Sequence, residues 1–241
     1  MIAVVTGAGS GIGRAVALRL AAGGARVAAA DIDLAAATET ARMAGGPVQG
    51  FEVDVADSDR VDALRAEVRG ELGRPTVLVN AAGWDRTAPF LDVTADFARR
   101  VVEINYLGQV HMCRAFLADM VQAGEGGRVV NIGSDAGRVG SSGESVYAGA
   151  KGGVIALTKS LAREMARHGI TVNCVCPGPT DTPLFRAQPE KLQEALVRAI
   201  PMRRPARPDE VAGVVEFFVG DAAGYVTGQV LSVNGGLTMA D

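Results

Sequence analysis

Lysine is scarce in this chain: of 24 basic residues only Lys151, Lys159 and Lys191 are lysines. Histidine is limited to His111 and His168, and cysteine to Cys113, Cys174 and Cys176. Three cysteines are too few for a disulfide framework, so nothing points to an oxidising compartment and a cytoplasmic location is expected. Cys174 and Cys176 stand two apart in the stretch ITVNCV and share one strand face. No histidine or carboxylate nearby completes a ligand set, so they read as small core residues and no metal site is expected. Neither histidine has a serine or cysteine partner nearby, which argues against triad chemistry and for structural roles. No apolar run approaches about 18 residues, excluding a membrane-spanning helix. The opening MIAVVTGAGS has no charged segment ahead of its apolar run, so no signal peptide is expected. A net charge of −3 carries no footprint for nucleic acid or an anionic membrane.

What the chain does have is apolar bulk and glycine. Hydrophobic residues make up 48% of 241 positions, and there are 31 glycines without a collagen-like period. Short apolar runs at Ile2–Val5, Arg26–Ala30, Val48–Val53, Thr76–Val79, Arg128–Ile132, Thr171–Val175 and Gln229–Val233 read as strands. Helical patterns fall near 12–22, 34–44, 57–70, 95–122, 146–168, 186–199 and 208–219. Near-continuous apolar strands joined by helical crossovers predict a doubly wound parallel sheet of seven strands with helices on both faces. No linker or repeat interrupts residues 1–241, so one domain is expected. The proline-rich stretch Pro177–Pro189 reads as a long functional loop.

The segment Thr6-Gly7-Ala8-Gly9-Ser10-Gly11-Ile12-Gly13 follows the first strand and opens the first helix. Glycines there permit a tight turn and let backbone N–H groups approach a pyrophosphate, which the helix N-terminus also favours. Its spacing is G-x-x-x-G-x-G rather than the commoner G-x-G-x-x-G. Asp31 closes the second strand, where a carboxylate can accept hydrogen bonds from ribose hydroxyls and would repel a 2′-phosphate. Ile32, Asp33 and Leu34 follow without a cation, and Ser10 is uncharged. NAD is therefore favoured over NADP. Helix capping is the other role open to an aspartate here, and Asp33 suits it better.

Tyr147 and Lys151 stand at i and i+4 on one helix face. A free phenol titrates at about pH 10 and is a poor base at neutrality. A neighbouring ammonium is expected to lower that value, letting the phenol give or take a proton as hydride moves to or from a carbonyl carbon. Gly149, Gly152 and Gly153 cluster beside the pair, which predicts close packing by a nicotinamide ribose or another helix.

Together these features resemble the classical short-chain dehydrogenase/reductase family over essentially the whole chain, implying a Rossmann-like fold. Gly7, Ser10, Gly11, Ile12 and Gly13 fall in its cofactor turn. Asp54-Val55 matches its adenine-contacting position, Asn80-Ala81-Ala82-Gly83 its motif after the fourth strand, and Pro177-Gly178 the start of its loop after the sixth. The resemblance implies that Tyr147 is the acid/base, that Lys151 tunes it and binds ribose, and that Ser134 orients the substrate oxygen. It implies that Asn105 holds a water in a proton relay, and that Thr180 and Thr182 contact the cofactor. It also implies a homotetramer packed partly through Tyr225–Met239.

The stretches NAAGWD, SDAGRVGSSGESVYAGAKGG and VCPGPTDTPL, with the ending Thr227–Met239, are similar to 2-hydroxycyclohexanecarbonyl-CoA dehydrogenases. That resemblance implies NAD-linked oxidation of a 3-hydroxyacyl thioester, linear or cyclic, to the 3-oxo compound. Trp84 is then either a flat wall for the acyl group or core packing. Arg138 and Arg186 either meet CoA phosphates or stay solvated. Leu184 and the segment around 178–200 read as a substrate lid. The rival readings are an NADPH-dependent 3-oxoacyl-[acyl-carrier-protein] reductase, a sugar-nucleotide epimerase and a non-catalytic nucleotide sensor. A sensor would not need Ser134, Tyr147 and Lys151 together, and an epimerase usually carries a longer C-terminal substrate region.

Overall fold

The computed structural model describes residues 1–240. Seven strands, β1 (Ile2–Thr6), β2 (Arg26–Asp31), β3 (Val48–Glu52), β4 (Val77–Asn80), β5 (Gly127–Ile132), β6 (Ile170–Pro177) and β7 (Val230–Val233), form one sheet in the order β3-β2-β1-β4-β5-β6-β7. Every pair is parallel, so each connection must cross over a face of the sheet. The central strands are apolar nearly throughout because helices cover both faces. In β1 the alternation is still visible: Val4 packs into one core and Ala3 and Val5 into the other.

One face is covered by α3 (Ser58–Glu71), α5 (Gly108–Ala123) and α7 (Ser145–Met165), with Leu64, Met112, Phe116 and Ala162 in its core. On the other face α1 (Gly11–Ala22) and α10 (Pro208–Val219) bury Val16, Leu20, Val215 and Phe218. Helix α2 (Leu34–Ala44) begins at Asp33, whose side chain accepts the Ala36 N–H. Asp33 thus takes the capping role and leaves Asp31 free of it.

Three local features depart from the sequence pattern. The helix expected over 95–122 is α4 (Ala95–Val102) and α5 joined by a π turn at Glu103–Leu107. Within that turn Asn105 donates to the Val101 carbonyl at 2.9 Å. Residues Ala136–Val139 form a short helix, α6, that no periodicity signalled. The loop after β6 contains α8 (Pro183–Arg186), capped by the Thr182 hydroxyl accepting the Phe185 N–H, and α9 (Glu190–Ala199) starts only after Pro189.

Phe116 is completely buried between α5 and the sheet. Phe116→Ala should cost about 3–5 kcal/mol through lost burial and a residual cavity. Chemical denaturation measures it, and a cost below about 1 kcal/mol would mean this face is not the main core.

Candidate active site

The carboxyl ends of β1 and β4 point away from each other's onward connections, one running to β2 and the other to β5. Such a switch point opens a crevice above the sheet, and here it is a cavity of about 710 Å³. Its floor is the glycine turn. A Cβ on Gly13 would lie 2.2 Å from the Gly7 carbonyl oxygen, and one on Gly7 would lie 2.9 Å from the Ala82 backbone. Only glycine lets α1 start this close to β1 while the turn also touches the loop after β4. The Thr6 hydroxyl, which sequence reasoning passed over, accepts the N–H groups of Ala81 and Ala82 at 3.0 and 3.1 Å. It ties the two halves of the crevice together.

Asp31 stands on the cavity wall at the end of β2 and accepts the Gly9 N–H at 2.8 Å. The Asp33 N–H donates to its other oxygen at 3.0 Å. The carboxylate is thereby held beside the turn, with acceptor capacity remaining for hydroxyl groups. Asp54, Val55, Ala81, Gly83, Pro177 and Gly178 also line the cavity, as do Ser10, Gly11 and Ile12. Thr180 and Thr182 arrive from the loop after β6, and a Cβ on Gly11 would lie 3.1 Å from the Thr182 methyl. A turn without side chains, an oriented carboxylate and an open cleft fit a dinucleotide. Asn80 is the exception among the expected contacts. Its side chain points into the sheet's interior, donating to Asn131 Oδ1 at 2.8 Å, and supports the site from beneath.

Ser134, Tyr147 and Lys151 meet on the opposite wall. Lys151 is 2% exposed, and its ammonium donates to the Ile132 carbonyl at the end of β5 at 2.8 Å. Burial pushes its pKa down to about 8, against the nearby Cys174 and Cys176 thiols, which favour the charged form. The same burial, reinforced by the Glu144 charge, holds the Tyr147 phenol well above its ordinary value, while a hydrogen bond with Ser134 works the other way. This reverses the expected lowering of the phenol by Lys151. The ammonium lies 5.6 Å from the Tyr147 ring centroid, and desolvation outweighs it. At neutral pH the phenol therefore holds its proton.

Asn105 is fully buried in the π turn, and its carboxamide is committed to the loop after β4. It donates to the Trp84 carbonyl at 2.6 Å and accepts the Trp84 N–H at 3.2 Å. A Cβ on Gly83 would sit 3.0 Å from Asn105 Oδ1 and 3.6 Å from the Lys151 ammonium. The turn therefore places Asn105, Gly83 and Lys151 in one column.

A family model described as "Enoyl-(Acyl carrier protein) reductase" matches residues 7–238. A "(3R)-3-hydroxyacyl-CoA dehydrogenase" of Mus musculus is 40% identical over 249 aligned residues, covering 99% of this chain and 96% of that protein. The protein of the same name from Homo sapiens is 40% identical, with 99% and 95% covered. A "3-oxoacyl-[acyl-carrier-protein] reductase FabG" of Pseudomonas aeruginosa is 38% identical, with 99% and 98% covered. This chain is a classical short-chain dehydrogenase/reductase. It is an oxidoreductase acting on CH–OH groups with a nicotinamide cofactor.

The residues expected on the substrate side of this short-chain dehydrogenase/reductase divide into two groups. Trp84 and Leu184 line the cavity, Trp84 packing on Phe97 with ring centroids 5.4 Å apart. Arg138 does not line it: its guanidinium turns to the Ser232 hydroxyl at 3.0 Å and to the Ala240 carbonyl. Arg186 is paired with Asp181 at 2.6 Å and is solvent-exposed. The arginine that does line the cavity is Arg100, 4.4 Å over the Trp84 ring; Arg86, beside Asp85 on the loop after β4, lies 5.4 Å over the Phe97 ring. Among the described residues neither forms an ion pair. Arg100 sits on α4 and Arg86 on a loop, and only the fold reveals the aromatic platform beneath them.

The glycines near Lys151 also have tertiary reasons. Gly153 packs against the Tyr106 ring and Gly152 against the Gly137 carbonyl, whereas Gly149 faces open space. His111 is structural, its Nδ1 pairing with the Val55 carbonyl at 3.0 Å. No helix among the described residues is long and apolar enough to cross a membrane.

Gly13→Ala should weaken dinucleotide binding by at least about tenfold, because the added methyl displaces the turn backbone. Fluorescence titration with NADH checks this, and wild-type affinity would show that the turn is not the dinucleotide cradle.

Proposed function

We propose that this enzyme interconverts a 3-hydroxyacyl thioester and its 3-oxoacyl thioester, with coenzyme A as the thiol and NAD as the cofactor. The observation that carries this reading is the meeting of Ser134, Tyr147 and Lys151 in the cavity that also contains the glycine turn and Asp31. A sensor of nucleotides needs the turn and the acid but not the second wall. The thioester is supported by the names of the relatives, which are a hydroxyacyl-CoA dehydrogenase and an oxoacyl-carrier reductase. The cofactor choice rests on Asp31, whose carboxylate, oriented by Gly9 and Asp33, accepts from ribose hydroxyls and opposes a 2′-phosphate.

The nicotinamide, when bound, supplies or accepts the hydride. The chain's own groups handle the proton. Ser134 hydrogen-bonds the substrate oxygen and shares its hydroxyl with the phenol of Tyr147. In reduction, the neutral phenol donates its proton to the developing alkoxide; in oxidation, the phenolate removes the alcohol proton. Lys151, fixed by the Ile132 carbonyl, sets positive charge beneath the phenol and stabilises the phenolate as it forms. Asn105 positions the loop bearing Trp84 and Asp85 against this wall. The adenosine phosphates of coenzyme A would meet Arg100 and Arg86 rather than Arg138 or Arg186.

Tyr147→Phe should lower turnover by at least about a thousandfold with dinucleotide affinity within about twofold of wild type. Retained turnover would place the acid/base elsewhere. Asp31→Ala should weaken NAD more than NADP, and equal effects on both would refute the ribose role. A wild-type preference for NADPH would favour the carrier-protein reductase instead. Because the phenol is held protonated, kcat/KM for oxidation should rise as pH increases, while that for reduction should stay level below the raised pKa of the phenol. Initial rates across the pH range test this, and flat profiles in both directions contradict proton transfer by Tyr147. Replacing Arg86 and Arg100 by alanine should raise KM for a coenzyme A thioester more than for the matching N-acetylcysteamine thioester, which lacks the phosphates. Equal changes would remove these arginines from coenzyme A recognition.

A further inference from the structure

We propose that Asp85 is a specificity-determining residue whose carboxylate accepts a hydrogen bond from a donor on the substrate, a hydroxyl or an amide N–H close to the reacting carbon. Asp85 follows Trp84 on the loop after β4 and lines the catalytic cavity. Its side chain is 7% exposed, and its Oδ2 is buried without a hydrogen-bond partner among the described residues. An acceptor removed from water and left unpaired is costly, and folded proteins keep few of them. One that lines a substrate cavity has an economical explanation: the ligand brings the missing donor.

The surroundings offer Asp85 no side-chain substitute for that donor. Glu144, the charged neighbour acting on it, is another acid and opposes its ionisation. The Arg86 backbone N–H is the group that favours the charge, while the Arg86 guanidinium lies over the Phe97 ring. The Arg100 guanidinium is likewise over Trp84. Burial pushes the Asp85 carboxyl up to about 6, so it is largely ionised at neutral pH and acts as an acceptor. Its charge also reaches the Tyr147 phenol, which places it close to the reacting centre.

This wall therefore has two acids facing the place where the substrate oxygen is handled. An anionic group there meets repulsion from both, whereas a neutral group with an N–H or O–H supplies what Asp85 lacks. Under the thioester reading proposed above, on which this part of the inference rests, the first amide N–H of the pantetheine arm is one source. A second hydroxyl on the acyl group is the other, and it does not depend on the thioester.

The test is a selectivity ratio measured in wild type, Asp85→Asn and Asp85→Leu. One arm compares kcat/KM for the N-acetylcysteamine and S-ethyl thioesters of 3-oxobutyrate, which differ by the amide. The other compares a secondary alcohol with the corresponding vicinal diol. Taking the ratio within each variant cancels any loss of folded enzyme, and the near-isosteric asparagine keeps an acceptor in place. In Asp85→Leu, the preference for the donor-bearing partner should fall by about tenfold or more in one arm, with Asp85→Asn between. The arm that responds identifies the donor. Ratios unchanged from wild type in both arms and both variants would overturn the proposal. A wild-type enzyme that turns over neither thioester counts against the thioester reading alone, and the diol arm then decides the role of Asp85.

Discussion

The hydrogen bond from the buried Lys151 ammonium to the Ile132 carbonyl is the constraint on which the catalytic wall depends. A charged amine this far from water needs a strong acceptor, and the last residue of β5 provides it. Meeting that need fixes helix α7 against the carboxyl edge of the sheet. Gly137, where a Cβ would lie 2.7 Å from the Lys151 backbone, lets α6 close over the helix from one side. Gly153, against the Tyr106 ring, lets the π turn close from the other. Ser134 follows β5 almost directly, so anchoring Lys151 to the end of that strand also brings Ser134 to the phenol one turn earlier in α7.

The same edge of the sheet joins two kinds of chemistry. The strands β1 to β3 carry the glycine turn and Asp31, and the wall of Ser134, Tyr147 and Lys151 follows β5. Their coupling is specific: Thr6 holds the loop after β4, and Thr182 from the loop after β6 rests on Gly11. The segment carrying α8 and α9 starts from that contact and supplies Leu184, Leu192 and Leu196 to the cavity.

Burial also sets the electrostatics in one direction. It raises Tyr147 and Asp85 and lowers Lys151, each time favouring the neutral form. Hydrogen bonds from Ser134 at Tyr147 and from the Arg86 backbone at Asp85, and the Cys174 and Cys176 side chains at Lys151, act against it but do not reverse the sign. A phenol that keeps its proton suits donation to an alkoxide, with the Ser134 hydroxyl hydrogen-bonded beside it. The acids Glu144 and Asp85 deepen the effect on the phenol.

Much of this was legible in the sequence because it rests on local periodicity and fixed spacing. Alternating apolar runs and helical patterns specify seven strands and their crossovers. The glycine turn, Asp31 after the second strand, and Tyr147 four residues before Lys151 specify which side chains share a face. Those relations are set by backbone geometry within one or two elements. Distances across elements are not. That Arg138 turns to Ser232 and that Arg100 and Arg86 lie over Trp84 and Phe97 depends on packing between segments far apart in the chain. So does the π turn that commits Asn105 to Trp84. The sign of the Tyr147 shift is the clearest case. Four residues of helix place an ammonium near the phenol, but how much water remains around them is decided by every element that closes over the crevice. The sequence by itself determined the sheet, the dinucleotide turn and the residues of the reacting wall. Only the tertiary structure decided their solvation, and with it the charge each one carries.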